Sequence, residues 1–129
     1  MDLSFTKEDL AFQSEVRDWI SENYTEELRG RNALSKNGYL DKEGMLDWQR
    51  RLDSKGWFVV DWPEQFGGPG LSASERYILN MEMAAAGTPN TSPMGKSMVA
   101  PVIMAFGNDA QKAQYLPDLL HESPHYATF

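Results

Sequence analysis

The string His121-Glu-Ser-Pro-His125, near the C-terminal end, comes closest in this sequence to a catalytic motif. Two histidines four apart on a regular helix share one face and can hold zinc, with the glutamate as general base. Pro124 falls inside the turn that has to be regular, where it removes a hydrogen bond and clashes with a preceding carbonyl. Only Tyr126-Ala-Thr-Phe129 follows, leaving little room for a third ligand. A chance match outweighs a metal site, and no metal is expected.

The glycines Gly67, Gly68 and Gly70 invite a phosphate-loop reading. They lack the Lys-Ser/Thr ending of a nucleoside-triphosphate loop and the Gly-x-Gly-x-x-Gly spacing of a dinucleotide loop. Turn geometry beside packed aromatics explains them better. The carboxylate pairs Glu8-Asp9 and Glu26-Glu27 stand on polar faces or in a polar gap, without apolar neighbours to raise a pKa. Met94, Met98 and Met104 read first as core, although methionine's pliancy also suits a pocket wall. Cysteine is absent, so thiolate catalysis, disulfides and Cys-ligated zinc are excluded.

The chain of 129 residues fits one domain, and a 41% hydrophobic and 24% charged composition is that of a globular protein. Its net charge of −7 argues against nucleic acid as a partner, because phosphate backbones are bound by clustered cations. Arg50-Arg51 and Arg29 with Arg31 are flanked by acids and read as solvated helix faces. No apolar run approaches the roughly 20 residues that span a bilayer, so no membrane partner is expected. The first residues lack the basic-then-apolar order of a signal peptide. A soluble, cytoplasmic protein is the expectation.

The elements that would position any site are helical. Thr6 caps a first helix, with Phe5 and Leu10 as a hydrophobic staple and Phe12, Val16, Trp19, Ile20 and Asn23 on its inner stripe. Residues 24–40 form a polar gap, in which Thr25-Glu-Glu-Leu-Arg29 is read as a turn of helix without legible boundaries. Asp41 opens a second helix with Met45, Leu46, Trp48 and Leu52 inward, stopped at Gly56. The stretch from Gly56 to Glu75 mixes Trp57, Phe58, Trp62 and Phe66 with turn residues and reads as a packed, irregular connector. Ser72 and Glu75 make a capping box for a third helix, with Tyr77, Ile78, Met81, Ala84 and Ala85 inward and Gly87 as its stop. Ser92-Pro93 predicts the start of a fourth, apolar almost all round and therefore central and buried, kinked or started late at Pro101. Asn108 and Gln111 box the start of a last helix, which Pro117 interrupts. The fold class is all-α, an antiparallel bundle-like domain of about five helices.

Several stretches, in this order and spacing, resemble the N-terminal helical domain of the acyl-CoA dehydrogenase family. They are Gly56-Trp57, Trp62-Pro-Glu-Gln-Phe-Gly-Gly-Pro-Gly-Leu-Ser72, Glu75 with Met81-Glu-Met83, Ser97-Met-Val-Ala-Pro101, Phe106-Gly-Asn-Asp-Ala-Gln-Lys112 and Tyr115-Leu-Pro117. The likeness runs from about Leu3 to Leu120, with a flavour similar to the bacterial dicarboxylate-type or pimeloyl-CoA dehydrogenase large subunits. Residues 1–120 then read as the family domain and 121–129 as a tail foreign to it.

The resemblance implies a three-domain flavoenzyme that removes a proton from Cα and a hydride from Cβ of an acyl-CoA, passing the hydride to FAD. In that family the flavin lies between the middle barrel and the C-terminal bundle, and the glutamate base belongs to the bundle. This chain is expected to stop before both, to bind no FAD itself and to be non-catalytic alone. By the same resemblance, Asn90, Thr91, Met94, Gly95 and Met98 fall on the wall and floor of the acyl pocket, Asn90 and Thr91 addressing a polar end. The alternative is a stand-alone scaffold or binding protein that homodimerises, or otherwise self-associates, through helices left apolar and exposed. A small metallohydrolase using the terminal histidines is the third reading.

Overall fold

Five of the helices start where a polar side chain caps the first free amides, and the chain between them turns where glycine or proline stands. The computed structural model describes residues 4–121. Thr6 caps α1 (Lys7–Asn23), Thr25 caps α2 (Glu26–Ala33) and Asp41 caps α3 (Lys42–Lys55). Ser72 caps α4 (Ala73–Ala86), and Asn108 caps α6 (Asp109–Leu120). Between these last two lie a π-helical segment (Met94–Val99) and α5 (Ala100–Phe106). The boxes expected at Thr6, Ser72 and Asn108 are each closed in both directions. Gly56 and Gly87 end their helices at φ +82 and +68, conformations that a side chain rarely adopts. Among the described residues there is no strand.

The core is centred on the connector. α1 packs along α4, burying Phe12, Val16 and Ile20 against Ile78 and Leu79. Trp57 of the connector meets Phe12 at 5.9 Å and Trp19 at 5.3 Å between ring centroids, both edge-on. Trp19 reaches Trp48 of α3 at 5.5 Å, and Trp48 reaches Tyr24 at 5.5 Å. This chain of offset rings joins α1, α3 and the connector through contacts that each add to plain area burial. A 3₁₀ turn, Glu64–Phe66, bends the connector back. Gly68 then passes so near that a Cβ would stand 1.7 Å from the Trp62 carbonyl.

Several expectations need correction. The polar gap holds a two-turn helix, α2, because Leu28 buries beneath it and Arg29 stacks on the Tyr24 ring. Leu10 is exposed, and Phe5 faces Tyr77 at 6.4 Å. On α4, Tyr77, Ala84 and Ala85 face out, since Ile78 and Leu79 set the inner face opposite α1. Pro117 does not interrupt α6: it stands on the solvent side, and the helix continues with its carbonyl accepting from the His121 N–H. The largest difference is the expected fourth helix. It is neither single nor buried: Met94, Met98, Val99, Val102 and Phe106 are exposed, and only Gly95 and Ala100 go under. It lies across α6 with one narrow side inward, so an all-round apolar sequence marks an outward surface that these residues do not cover.

Candidate functional site

The connector, the end of α4 and the π segment enclose an open cleft of about 890 Å³. Its floor is aromatic, from Trp57, Phe58, Trp62 and Phe66. Its side wall is Leu79 and Met83 of α4, and its far wall is Lys96, Ser97, Pro101 and Met104. Asn80, Thr88, Asn90 and Thr91 bring hydrogen-bonding groups to the rim. Apolar walls with a few polar groups are the usual make-up of a small-molecule site, and the volume is at the upper end of the ordinary range.

Each wall is held by an identifiable contact. The loop 87–91 is fixed from behind: Tyr24 donates its hydroxyl to the Gly87 carbonyl at 3.0 Å, and Asn32 Nδ2 donates to the same carbonyl at 3.0 Å. One residue group later, the Asn90 N–H bonds the Gly38 carbonyl at 3.0 Å, and Gly38 stands at φ +81 with the Asn90 amide against it. The far wall is tied to the floor twice. Trp62 Nε1 donates to the Lys96 carbonyl at 2.9 Å, and Lys96 Nζ donates to the Phe58 carbonyl at 3.2 Å while lying 4.7 Å above the Phe58 ring.

Of the residues singled out from sequence, Asn90 and Thr91 line this cleft. Gly95 is buried in the π segment, and Met94 and Met98 point outward; these three are not among the lining residues. Sequence reasoning passed over Lys96 and Ser97, which are. The available signal was Pro101: a proline in the first turn of α5 has no N–H to offer the turn before it.

Asp61 is the carboxylate among the lining residues; its side chain is 86% exposed and lies 3.6 Å from Arg76. Glu82 is held below the ordinary carboxyl range, chiefly by its hydrogen bond from Arg17, and it lies on the opposite side of α4 against α1. Asp41 is likewise lowered, first by the Gly44 N–H and then by Arg31, in its role as cap of α3. His121 is exposed, with Nδ1 3.2 Å from Asp53, and the rest of the His-Glu-x-x-His string lies outside the described residues. No three His, Asp or Glu residues are grouped to hold a metal among those described. The glycine-rich turn is packed by its own chain: a Cβ on Gly68 would meet the Trp62 carbonyl oxygen, and one on Gly70 would meet the Glu64 carboxylate.

The described residues thus form an all-helical domain with an open, aromatic-floored cleft. Residues 6–123 match the acyl-CoA dehydrogenase N-terminal domain, and the chain belongs to the acyl-CoA dehydrogenase family. It is 31% identical over 109 residues to the acyl-CoA dehydrogenase IpdE1 of Mycobacterium tuberculosis, covering 82% of this chain and 28% of IpdE1. A subunit of the ChsE4-ChsE5 complex from Mycobacterium tuberculosis superimposes with a TM-score of 0.70 at 32% identity, over 94% of this chain and 29% of that one. The Tcur3481-Tcur3483 steroid ACAD gives a TM-score of 0.72 at 29% identity, over 94% and 30%. The chain thus spans somewhat under a third of the length of these relatives. Among the described residues, no helix is long and apolar enough to cross a membrane.

Proposed function

We propose that this chain forms the helical wall of the acyl-group pocket of an FAD-dependent acyl-CoA dehydrogenase. The observation that carries the reading is the cleft of about 890 Å³, aromatic at its base and rimmed by Asn90 and Thr91. Its volume has room for a bulky, ring-bearing acyl group, in line with a solved relative described as a steroid ACAD. The side chains here bind and orient that group and exclude water from it. FAD, which accepts the hydride in this family, and the base that removes the Cα proton are assigned to no residue of this stretch.

The reading is tested by titrating the labelled protein with a fused-ring acyl-CoA thioester, octanoyl-CoA and free CoA. The fused-ring thioester is expected to move the amide resonances of Asn90, Thr91 and Ser97 at the lowest concentration. Shifts confined to other surfaces, or none at all, would overturn it.

A second reading, self-association of the chain, is favoured by one observation. Met94, Met98, Val102 and Phe106 recur every four residues along one exposed line of the π segment and α5. Such a line is a surface for another protein layer, and a second copy of the chain is the partner proposed for it.

A further inference from the structure

The rim of the cleft is tied to a segment that takes no part in lining it. Thr88, Pro89, Asn90 and Thr91 all line the cleft, and no residue of 24–40 does. The left-handed turn at Gly87 swings its carbonyl out of the α4 ladder, and two donors from that segment take it. One is Asn32 Nδ2, and the other is the Tyr24 hydroxyl. Asn32 Nδ2 also donates to the Tyr24 oxygen at 2.9 Å. An amide nitrogen only donates and a carbonyl only accepts, so the Tyr24 proton points to Gly87. Tyr24 is 4% exposed, and Arg29 lies over its ring while donating from Nε to its carbonyl at 3.2 Å. The same ring meets Trp48 at 5.5 Å, and Trp48 lines the cleft. One rigid side chain thus touches the aromatic lining and holds the root of the rim.

We propose that Tyr24 is a positioning residue: with its ring on Trp48 and its hydroxyl on Gly87, it sets how far the Asn90–Thr91 rim stands from the aromatic lining. Without the hydroxyl, only Asn32 reaches the Gly87 carbonyl, and the loop keeps its second tie, the Asn90 N–H on the Gly38 carbonyl. The loop then turns about that second tie, and Asn90 and Thr91 lose their fixed distance from Trp48. The ligand this span suits is an acyl group that is apolar along the lining and carries a hydroxyl or carbonyl oxygen where Asn90 and Thr91 bond it. The bracing is independent of what the cleft binds; its consequence for ligand choice rests on the acyl-pocket reading above.

The first measurement needs no variant. In the unaltered protein the Tyr24 hydroxyl proton, buried and bonded, is expected as a resolved NMR signal with Overhauser contacts to the Asn32 side-chain amide; its absence overturns the proposal. Tyr24→Phe keeps the ring on Trp48 and removes only the hydroxyl. In this variant amide exchange at Asn90 is expected to quicken about tenfold, while exchange at Ile78 in the middle of α4 stays as it was. Unchanged exchange at Asn90 overturns the proposal, and so does equal quickening at both residues, the mark of a general loss of stability. Two fused-ring acyl-CoA thioesters, alike except for one ring hydroxyl, report ligand choice. The unaltered protein is expected to prefer the hydroxylated one, and Tyr24→Phe to lose about fivefold of that preference. Equal binding of the two by the unaltered protein, or an equal loss for both in the variant, overturns the role in ligand choice. If the unaltered protein binds neither thioester, the acyl-pocket reading fails, while the hydroxyl signal and the exchange at Asn90 still decide whether Tyr24 braces the rim.

Discussion

Gln49 is buried in α3 beside Trp48, and neither its Oε1 nor its Nε2 has a protein partner. A buried amide without hydrogen bonds costs about 1–3 kcal/mol. Methionine has nearly the same length and no polar head, so Gln49→Met is expected to raise the unfolding free energy by about 1–2 kcal/mol. Urea melts at neutral pH measure this; a loss instead of a gain would mean that the amide is bonded through water. Nothing in the sequence marked this position, because glutamine on an amphipathic helix reads as outward. Glu82 makes a second prediction at this scale. Its folded pKa lies below the ordinary 4.5, mainly through the Arg17 hydrogen bond, with Gln13 also donating at 2.9 Å. A carboxyl depressed on folding stabilises above its unfolded value, and the contribution disappears as pH falls through the folded one. Stability should therefore drop from about pH 4.5 downward, and Glu82→Gln should flatten that slope. Asp41, depressed by the Gly44 N–H and Arg31, keeps part of it. A pH series of urea midpoints for the two proteins, superimposed throughout, would refute the assignment.

Helix ends were the most legible features, because each depends on a few adjacent residues. Thr6, Asp41, Ser72 and Asn108 cap as their types and spacing predict, and Gly56 and Gly87 stop their helices. Ser72→Ala should cost about 1 kcal/mol and fray the start of α4, seen as faster amide exchange over its first turn. Helix faces were harder to read. α4 offers Tyr77, Ile78, Leu79 and Met81 within five positions, and only the partner helix decides which go inward. The register of residues 94–106 was harder still, since the Lys96 carbonyl accepts from the Trp62 indole, thirty-four positions away in sequence. Gly68 shows the same long reach in the connector. Its Cα lies against the Trp62 carbonyl, so Gly68→Ala must displace the segment that carries the floor of the cleft. A lower melting temperature together with a loss of thioester-induced shifts is the expected result; loss of stability with unchanged shifts would separate the turn from the site.

At the scale of the whole molecule, composition and family pattern identified an all-helical domain but misplaced its most apolar segment. An all-round apolar helix is central only when every neighbour that covers it is in view, and the chain here spans somewhat under a third of its relatives. Phe106 is 86% exposed, and Met98 and Val102 are each 58% exposed, on one line. A stable dimer buries roughly 1,200–2,000 Å² in total, more than such a narrow stripe supplies, so self-association should be weak and concentration-dependent. The net charge of −7 opposes it through repulsion that salt screens. Sedimentation velocity should therefore show a monomer at low concentration and low salt, and a growing larger species as either is raised. Phe106→Asp places a charge on the most exposed residue of the stripe and should restore the monomer without altering the melting temperature. A variant that associates as the unaltered chain does would move the contact to another face.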